Sequence, residues 1–493
     1  MKVEIKGDIK PYYVQSLIML FFPGEKFSES EIGDDRKLSL EVIESEGSVT
    51  VNVFSRVGDR EGRSSYEKAI EKGMTKERAI KLCAGEAIYS LYGEMFGFYP
   101  EWGLMVGVRP TKLPAVLLRE GKSVKEAAEM LMRDFHVSEK KAFLASSTAK
   151  CELDLIEKLP KRSCSLYVSI PFCPSRCSYC SFISYATNRL LSLIPDYLER
   201  LVRDLDAAFD AIRDAKLNIS TVYIGGGTPT TLSASQLDVL LTAINRGLEK
   251  CSADPLEFTL EAGRPDTVTA EKLAVAYSHG VNRISVNPQT TSDSVLSSIG
   301  RSHTAADFFA AYDIAKKSGI KYINTDLIAG LPGDTVESFQ KSVRDVIALD
   351  PENITVHTFS VKKASELCLK GDLFSREGGI APSCVDFAAQ SVEKAGYHPY
   401  YMYRQKNMVG SLENVGYAKE GADGLYNIFM MEEIHSIIAV GAGAVTKFVC
   451  HSDESEDGLY IERCFAPKYP YEYLEWDGYA DTLNKIRTFD YNI

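Results

Sequence analysis

Three thiols lie within eight residues, in Cys173-Pro-Ser-Arg-Cys177-Ser-Tyr-Cys180, spaced C-x-x-x-C-x-x-C. Clustered thiolates are soft ligands that suit iron–sulfur clusters or zinc. A zinc site closed by protein wants four ligands. No His or Cys between Ser181 and Lys250 supplies a fourth, and Cys164 falls at the far end of the preceding run. On a cubane of four irons, three protein ligands leave one iron open to a small molecule. The bland alternative, three unrelated core thiols, gives no reason for this spacing. Leu166–Ile170 reads as a short buried strand. Pro171 ends it, so the thiols occupy a loop at its carboxyl end, the edge at which α/β folds bind ligands.

Further polar residues gather at the ends of later strands. Gly225-Gly-Gly-Thr-Pro-Thr230 directly follows the second strand. Its glycines let a ligand approach the backbone, and free strand-edge carbonyls can accept an ammonium group. Gly226, Gly227 and Thr228 are the candidates there. Glu261 ends the third strand, where an acceptor can take ribose hydroxyls or an amine. Gln289 follows the fourth, and Arg301 and His303 lie in the next loop. Asp326 sits inside the fifth strand among apolar residues, where a carboxylate is costly unless paired. Arg301 is its expected partner. Taken singly, each polar residue is as well explained by a satisfied strand-end hydrogen bond; their common placement favours a site.

The elements that position these residues follow from periodicity. Strands are expected at Leu166–Ile170, Thr221–Ile224, Glu257–Leu260, Arg283–Val286, Tyr322–Ile328 and Asn353–Phe359. Helices are expected at Pro195–Asp214, Ala234–Lys250, Ala270–Tyr277, Ala305–Lys317 and Val336–Ala348, with Ser233 and Gln236 capping the second. Six βα units imply a parallel sheet with right-handed crossovers, two units short of a closed eight-fold barrel. Before them, alternation at Leu38–Val42 and Val49–Val53 around Ser45-Glu-Gly47 predicts a hairpin. Glu67–Ile70, Lys76–Tyr92, Val124–Arg133 and Glu139–Leu159 read as helical, and Ser123 with Glu126 as a capping box. In Trp102–Lys112, Arg109 and Lys112 beside glycines can hold an anion, or be solvated charges on a tight loop. Beyond the last unit, Phe387–Ala395 reads as a helix and Tyr400–Tyr403 as a strand. Gly424–Glu433 and Ile437–Lys447 follow. The expected organisation is an N-terminal α+β domain over 1–160, the βα units over 161–362, and a C-terminal α+β region over 363–493 that covers the open side.

A chain of 493 residues, 45% apolar and 25% charged, suits a soluble protein of two or three domains. The net charge of −12 disfavours a nucleic-acid binder. No signal peptide or membrane-length apolar run is evident, and eleven scattered cysteines suit reduced thiols in a cytosol.

The three-thiol loop is the motif of the radical S-adenosylmethionine enzymes, and the sequence resembles that superfamily. The resemblance implies a partial (β/α)6 radical SAM barrel. It also implies a 4Fe-4S cluster on Cys173, Cys177 and Cys180, whose open iron S-adenosylmethionine chelates. One electron then cleaves the sulfonium, and the 5′-deoxyadenosyl radical takes hydrogen from a substrate. More narrowly, YVSIPFCPSRCSYCSF, YIGGGTPTTL, TLEAG, GVNRISVNPQT, IGRSHT and NTDLIAGLPGDT resemble the oxygen-independent coproporphyrinogen III oxidases. Residues 1–150 and the YNIFMMEE and AVGAGAVTK stretches are similar to the HemZ-type branch. By this resemblance Tyr167, Tyr179, Gly226, Gly227, Thr228, Glu261, Gln289, Arg301, Asp326 and Ser360 contact S-adenosylmethionine, of which one or two molecules are held. The implied substrate is a porphyrinogen in heme biosynthesis, and the electron donor a reduced flavodoxin or ferredoxin.

The sequence departs from the oxidases in two places. Phe182 stands where they carry a further Cys, and Ser169 where Tyr-x-His-Ile-Pro has His. The related heme chaperones also lack that Cys, which makes a heme-binding chaperone the alternative, with His357, His398 and His435 as candidate axial ligands. Their His-Asn-x-x-Tyr-Trp segment is absent here; neither Trp102 nor Trp476 lies at its place. Arg404, Lys447 and Lys362 are candidates for the substrate carboxylates, or else ordinary surface charges. A third reading, a radical enzyme acting on tRNA, lacks a recognisable RNA module.

Overall fold

A computed structural model describes residues 1–25, 27, 35–180, 183–360, 378–405, 408–451 and 458–491. The chain divides into two compact units: residues 1–147, 370–382 and 403–413, and residues 148–369, 383–402 and 414–493.

The first unit contains a four-stranded sheet of β1 (Lys2–Lys6), β2 (Arg36–Ser45), β3 (Ser48–Val57) and β4 (Arg60–Ala69), in that order. β1 is parallel to β2, and the other pairs are antiparallel. The expected hairpin is present, with Ser45 opposite Ser48 and Gly47 at a φ of 85°. Leu38, Leu40, Val49, Val51 and Val53 share one core with Cys83, Ala84, Ala87 and Ile88 of the helix Lys76–Phe96. The capping box of Ser123 and Glu126 opens the helix Val124–Phe135. The helix expected at Glu67–Ile70 is instead the end of β4, where Thr50 faces Glu67 and Val49 faces Lys68. Four residues pay the nucleation cost of a helix for almost no internal hydrogen bonds, so the ladder with β3 wins. Arg404 is neither a surface charge nor a free cation. It is buried in this unit, donating to the carbonyls of Met105 and Ser411 with its guanidinium over Trp102.

The second unit is built on an eleven-stranded open sheet. Its strands are β5 (Ser163–Ile170), β6 (Asn218–Gly226), β7 (Glu257–Glu261), β8 (Arg283–Ser285), β9 (Tyr322–Ala329), β10 (Asn353–Thr358), β11 (His398–Tyr403), β12 (Asn414–Ala418), β13 (Ser436–Val440), β14 (Val445–His451) and β15 (Leu459–Phe465). The spatial order is β11-β12-β10-β9-β8-β7-β6-β5-β13-β14-β15. β5 to β10 are parallel neighbours, as the six βα units predict. The intervening helices are Ile194–Asp214, Ala234–Lys250 with its Ser233/Gln236 capping box, Ala270–Ser278, Ala305–Lys317 and Val336–Ala348. A short helix, Asp293–Ser298, was not expected.

The C-terminal chain joins this same sheet. β13 runs parallel to β5, with Ile438 opposite Leu166 and Ala439 opposite Tyr167. All five residues of β13 are buried. Its other neighbour, β14, is antiparallel, so β13 closes the parallel part of the sheet, and a run apolar on both faces fits a strand covered on both sides. Such pairing is non-local and leaves no trace in local periodicity.

Strand alternation divides the inner side chains into layers. Near the amino ends, Glu257 and Arg283 form a buried ion pair at 3.2 Å. Arg283 also donates to Asn353 and to the carbonyls of Ala422 and Asp423, each carbonyl at 2.9 Å. Glu257 accepts the backbone N–H of Leu425 at 2.7 Å, at the start of the helix Leu425–Glu432. Removing one member of a buried pair leaves an uncompensated charge. Arg283→Met should therefore destabilise this unit by about 3 kcal/mol, seen as a lower urea midpoint; an unchanged midpoint would show that the pair holds nothing.

Candidate functional site

Beyond Ile170 the chain leaves the sheet but stays anchored to it. Gly227 N–H donates to Ile170 O at 2.8 Å, and Thr228 N–H to Phe172 O at 2.7 Å. The loop folds back on itself through Cys173 N–H to Tyr185 O (3.1 Å) and Tyr185 N–H to Pro171 O (2.9 Å). Cys180 N–H closes a turn onto Cys177 O, and Ser178 N–H reaches Ile299 O. The three thiols thus share one loop at the carboxyl end of β5, with Cys173 and Cys177 buried and Cys180 half-buried. Cys164 lies at the opposite end of β5, buried against β13. Thr228 Oγ1 lies 3.3 Å from Cys173 Sγ. Burial pushes the Cys173 thiol up, while the contact with Thr228 opposes it. A metal ion reverses that balance by binding the thiolate.

The glycines are there for contact. A Cβ on Gly227 would sit 2.5 Å from Phe172 O, and Gly226 has a φ of 110°. A Cβ on Gly225 would lie 2.9 Å from a carboxylate oxygen of Glu261. Tyr223 OH donates to the other oxygen of Glu261 at 2.5 Å. Tyr167, Tyr223 and Tyr426 stack in near-parallel planes, the last two with centroids 4.3 Å apart. Burial raises the Glu261 carboxyl from 4.5 to about 7.

Asp326 and Arg301 are not partners, contrary to expectation. Asp326 accepts from Asn324 Nδ2 at 2.7 Å and lies 3.6 Å from His357 Nε2. It is only partly buried, so it does not require a guanidinium. Arg301 is captured by the carbonyls of Asn287 (2.9 Å) and Gly263 (3.2 Å) and by Tyr179 OH (3.3 Å). Gln289 adopts a left-handed φ of 67°, pinned by its N–H to Asp326 O and its carbonyl to Ile328 N, both 2.9 Å. Among the described residues, the buried Gln289 Oε1, Arg301 Nε and both ring nitrogens of His303 have no hydrogen-bond partner. Ser360 is half-buried, two residues past β10. Phe182 and Lys362 lie outside the described residues.

Sequence reasoning missed Arg264. Its buried guanidinium donates to Ser175 Oγ (2.8 Å), Ser302 Oγ (3.0 Å) and Cys177 Sγ (3.5 Å), and pairs with Asp266. The signal was available: an Arg between Gly263 and Pro265, immediately past the strand end that carries Glu261.

An open parallel sheet with a three-thiol loop at the end of its first parallel strand and a glycine cradle beside it is the radical SAM fold. A family model, the Radical SAM superfamily, matches residues 167–346. The oxygen-independent coproporphyrinogen-III oxidase-like protein HemZ of Bacillus subtilis is 35% identical over 98% of this chain and 97% of that protein. The heme chaperone HemW of the same organism is 32% identical over 57% of this chain and 70% of that protein. Among solved structures, coproporphyrinogen III oxidase (HemN) from Escherichia coli has a TM-score of 0.45 and 21% identity, covering 64% of this chain and 74% of that one. The chain belongs to the radical SAM superfamily, in the family of HemZ, the oxygen-independent coproporphyrinogen-III oxidase-like proteins. Membership implies a 4Fe-4S cluster and S-adenosylmethionine. The residues present fit both: three thiols on one loop, and buried polar atoms beside it that the protein leaves unsatisfied.

Two measurements follow. Outer contacts to metal ligands typically carry about 10-fold in metal retention. Arg264→Gln should therefore lose iron to a chelator about 10-fold faster; equal rates would reduce Arg264 to a loop tether. For Glu261, the folded state binds more protons than the unfolded between pH 4.5 and 7. The Glu261 contribution to stability should fall as pH rises through that window, by about 3 kcal/mol in all, while His303 and His435, whose imidazoles burial holds neutral, contribute in the opposite sense. In urea unfolding of the apoprotein, the stability of the native chain relative to Glu261→Gln should fall by that amount between pH 4.5 and 7; a difference that does not change with pH would refute it.

Proposed function

We propose that this protein is an oxygen-independent coproporphyrinogen III oxidase, converting two propionate side chains to vinyl groups to give protoporphyrinogen IX in cytoplasmic heme biosynthesis. The observation that carries the reading is kinship with a HemZ protein along nearly the whole chain, 98% of it, first unit included. In this reading Cys173, Cys177 and Cys180 hold the cluster. Tyr167, Tyr179, Gly226, Gly227, Thr228, Glu261, Gln289, Arg301, Asp326 and Ser360 hold one or two molecules of S-adenosylmethionine. When bound, the cluster and S-adenosylmethionine supply one-electron hydrogen abstraction. Each vinyl group would form as a propionate loses a hydrogen atom from its β-carbon, then CO₂ and one electron, with one S-adenosylmethionine, converted to methionine and 5′-deoxyadenosine, as the net acceptor of the hydrogen atom and the electron.

The chain's own residues bind and orient. Gly226 and Gly227 carry no side chain, and a Cβ on either would press on Ser169 to Phe172 of the neighbouring stretch of chain. Gln289 Oε1 and Arg301 Nε offer one acceptor and one donor already desolvated, so a ligand gains them at little further cost. A reduced flavodoxin or ferredoxin is the proposed electron donor. Neither a membrane nor a nucleic acid has a part in this reading. Among the described residues no helix is long and apolar enough to cross a membrane.

The second reading, a heme chaperone on the same scaffold, is supported by the likeness to HemW. Its candidate ligands are all engaged. His435 is buried, with Nε2 on Ser165 at 2.8 Å and its ring against Phe429. His398 Nε2 lies 2.7 Å from Asp423, and His357 faces Asp326. Lys447, a candidate for the substrate carboxylates, donates to Met430 O at 2.9 Å.

Anaerobic reconstitution with coproporphyrinogen III, S-adenosylmethionine and a chemical reductant decides between them. The oxidase reading expects vinyl product and 5′-deoxyadenosine together, both abolished in Cys177→Ala. 5′-Deoxyadenosine without vinyl product rejects it, and a Soret band on heme titration with delivery to an apoprotein establishes the chaperone.

A further inference from the structure

The second unit brings together another group of side chains of metal-ligating type, at a place no part of the proposed reaction uses. We propose that Cys151, His398 and Asp423 form a site for a zinc-type divalent cation. They come from three separate elements: the helix Glu139–Ile156, the first residue of β11, and the turn between β12 and the helix Leu425–Glu432. One donor atom from each lies within 4.8 Å of the other two. His398 Nε2 is 2.7 Å and Cys151 Sγ 3.7 Å from Asp423 Oδ1.

Zinc takes Cys S at about 2.3 Å and His N or carboxylate O at about 2.0–2.2 Å, so neighbouring ligands of a tetrahedral ion stand roughly 3.3–3.6 Å apart. The observed separations bracket that range, and small shifts of side chains admit the ion. One thiolate, one carboxylate and a neutral imidazole carry two negative charges, which a divalent cation cancels. The mixed sulfur, nitrogen and oxygen set suits zinc and not magnesium or calcium, which take oxygen ligands. Binding releases the thiol proton to solvent: the S–H bond breaks as the sulfur–metal bond forms, with no change of oxidation state.

The site is built as well as convergent. The Asp423 carbonyl is held by Arg283 at 2.9 Å, and the Ala422 carbonyl by Arg283 and by Asn353 Nδ2 at 2.8 Å. The turn that offers the carboxylate is therefore fixed by the buried Glu257–Arg283 pair before any ion arrives. The His398 side chain is 39% exposed, so water can reach a fourth position. As a plain His–Asp pair, the trio leaves Cys151 only a long thiol hydrogen bond to Asp423 Oδ1, at 3.7 Å. A thiol is a weak donor, and here it shares one oxygen with the imidazole.

The test uses the full-length, cluster-loaded protein, in which iron occupies the three loop thiols. After equilibration with zinc in a weakly chelating buffer, iron and zinc are measured per chain and zinc K-edge absorption is recorded. One zinc per chain is expected, with one sulfur at about 2.3 Å and nitrogen or oxygen completing the shell. Cys151→Ser and Asp423→Asn should each weaken zinc retention about 10-fold or more, with iron content unchanged. The half-exposed His398→Gln provides the same reading should either of the others fail to fold. Substoichiometric zinc in the native chain, or full zinc retention in the folded variants, overturns the proposal. Neither result bears on the porphyrinogen reaction.

Discussion

Two backbone hydrogen bonds past the end of the sheet set the geometry of the cluster loop. Gly227 N–H to Ile170 O and Thr228 N–H to Phe172 O continue the β5–β6 ladder after Pro171 has ended β5. They require the two backbones to approach so closely that no side chain fits at Gly227. Thr228 is thereby brought onto Cys173, and the glycine edge comes beside the loop that holds all three thiols. A bulkier residue at Gly227 would push the loop off the sheet, and the spacing of the cysteines would then mean nothing.

The interior of the parallel sheet is unequal from end to end, and the inequality separates stability from function. At the amino ends Glu257, Arg283 and Asn353 bind one another and the turn at Ala422–Asp423. At the carboxyl ends Gln289 Oε1 and Arg301 Nε are buried without partners, and Gln289 is held in a backbone conformation unfavourable for a side-chain-bearing residue. Unsatisfied buried groups and strain persist only where the surroundings over-determine them, and they gather at binding sites.

The parallel strands and their helices were legible because each is a local signal. A strand covered on both faces reads as a continuous apolar run, and a helix as a 3.6-residue stripe with a cap, as at Ser233. The three-thiol loop and the strand-end residues were legible from type and spacing. What was not legible depended on contacts distant in the chain. β13 looks like any apolar stretch until Leu166 is opposite Ile438. Pairing Arg301 with Asp326 followed from charge alone, whereas the guanidinium is taken by carbonyls whose positions no sequence displays. Glu67–Ile70 was misread because four residues carry too little periodicity to tell a stripe from an edge strand.

Charge at the cluster edge also runs against the composition of the whole. The chain carries a net −12, yet Arg264 and Arg301 both stand buried beside the loop, with Asp266 the carboxylate paired to Arg264. His303 registers the result: burial, then Arg301 and Arg264, hold its imidazole neutral down to about pH 4, against the pull of Asp266. Both guanidiniums are held largely by neutral groups, the carbonyls of Asn287 and Gly263 and the hydroxyls of Tyr179, Ser175 and Ser302, while Arg264 also lies 3.5 Å from Cys177 Sγ, which carries a full negative charge once it holds metal. Two cations facing a loop of three thiols favour the thiolate form at short range, where the overall acidity of the chain counts for little.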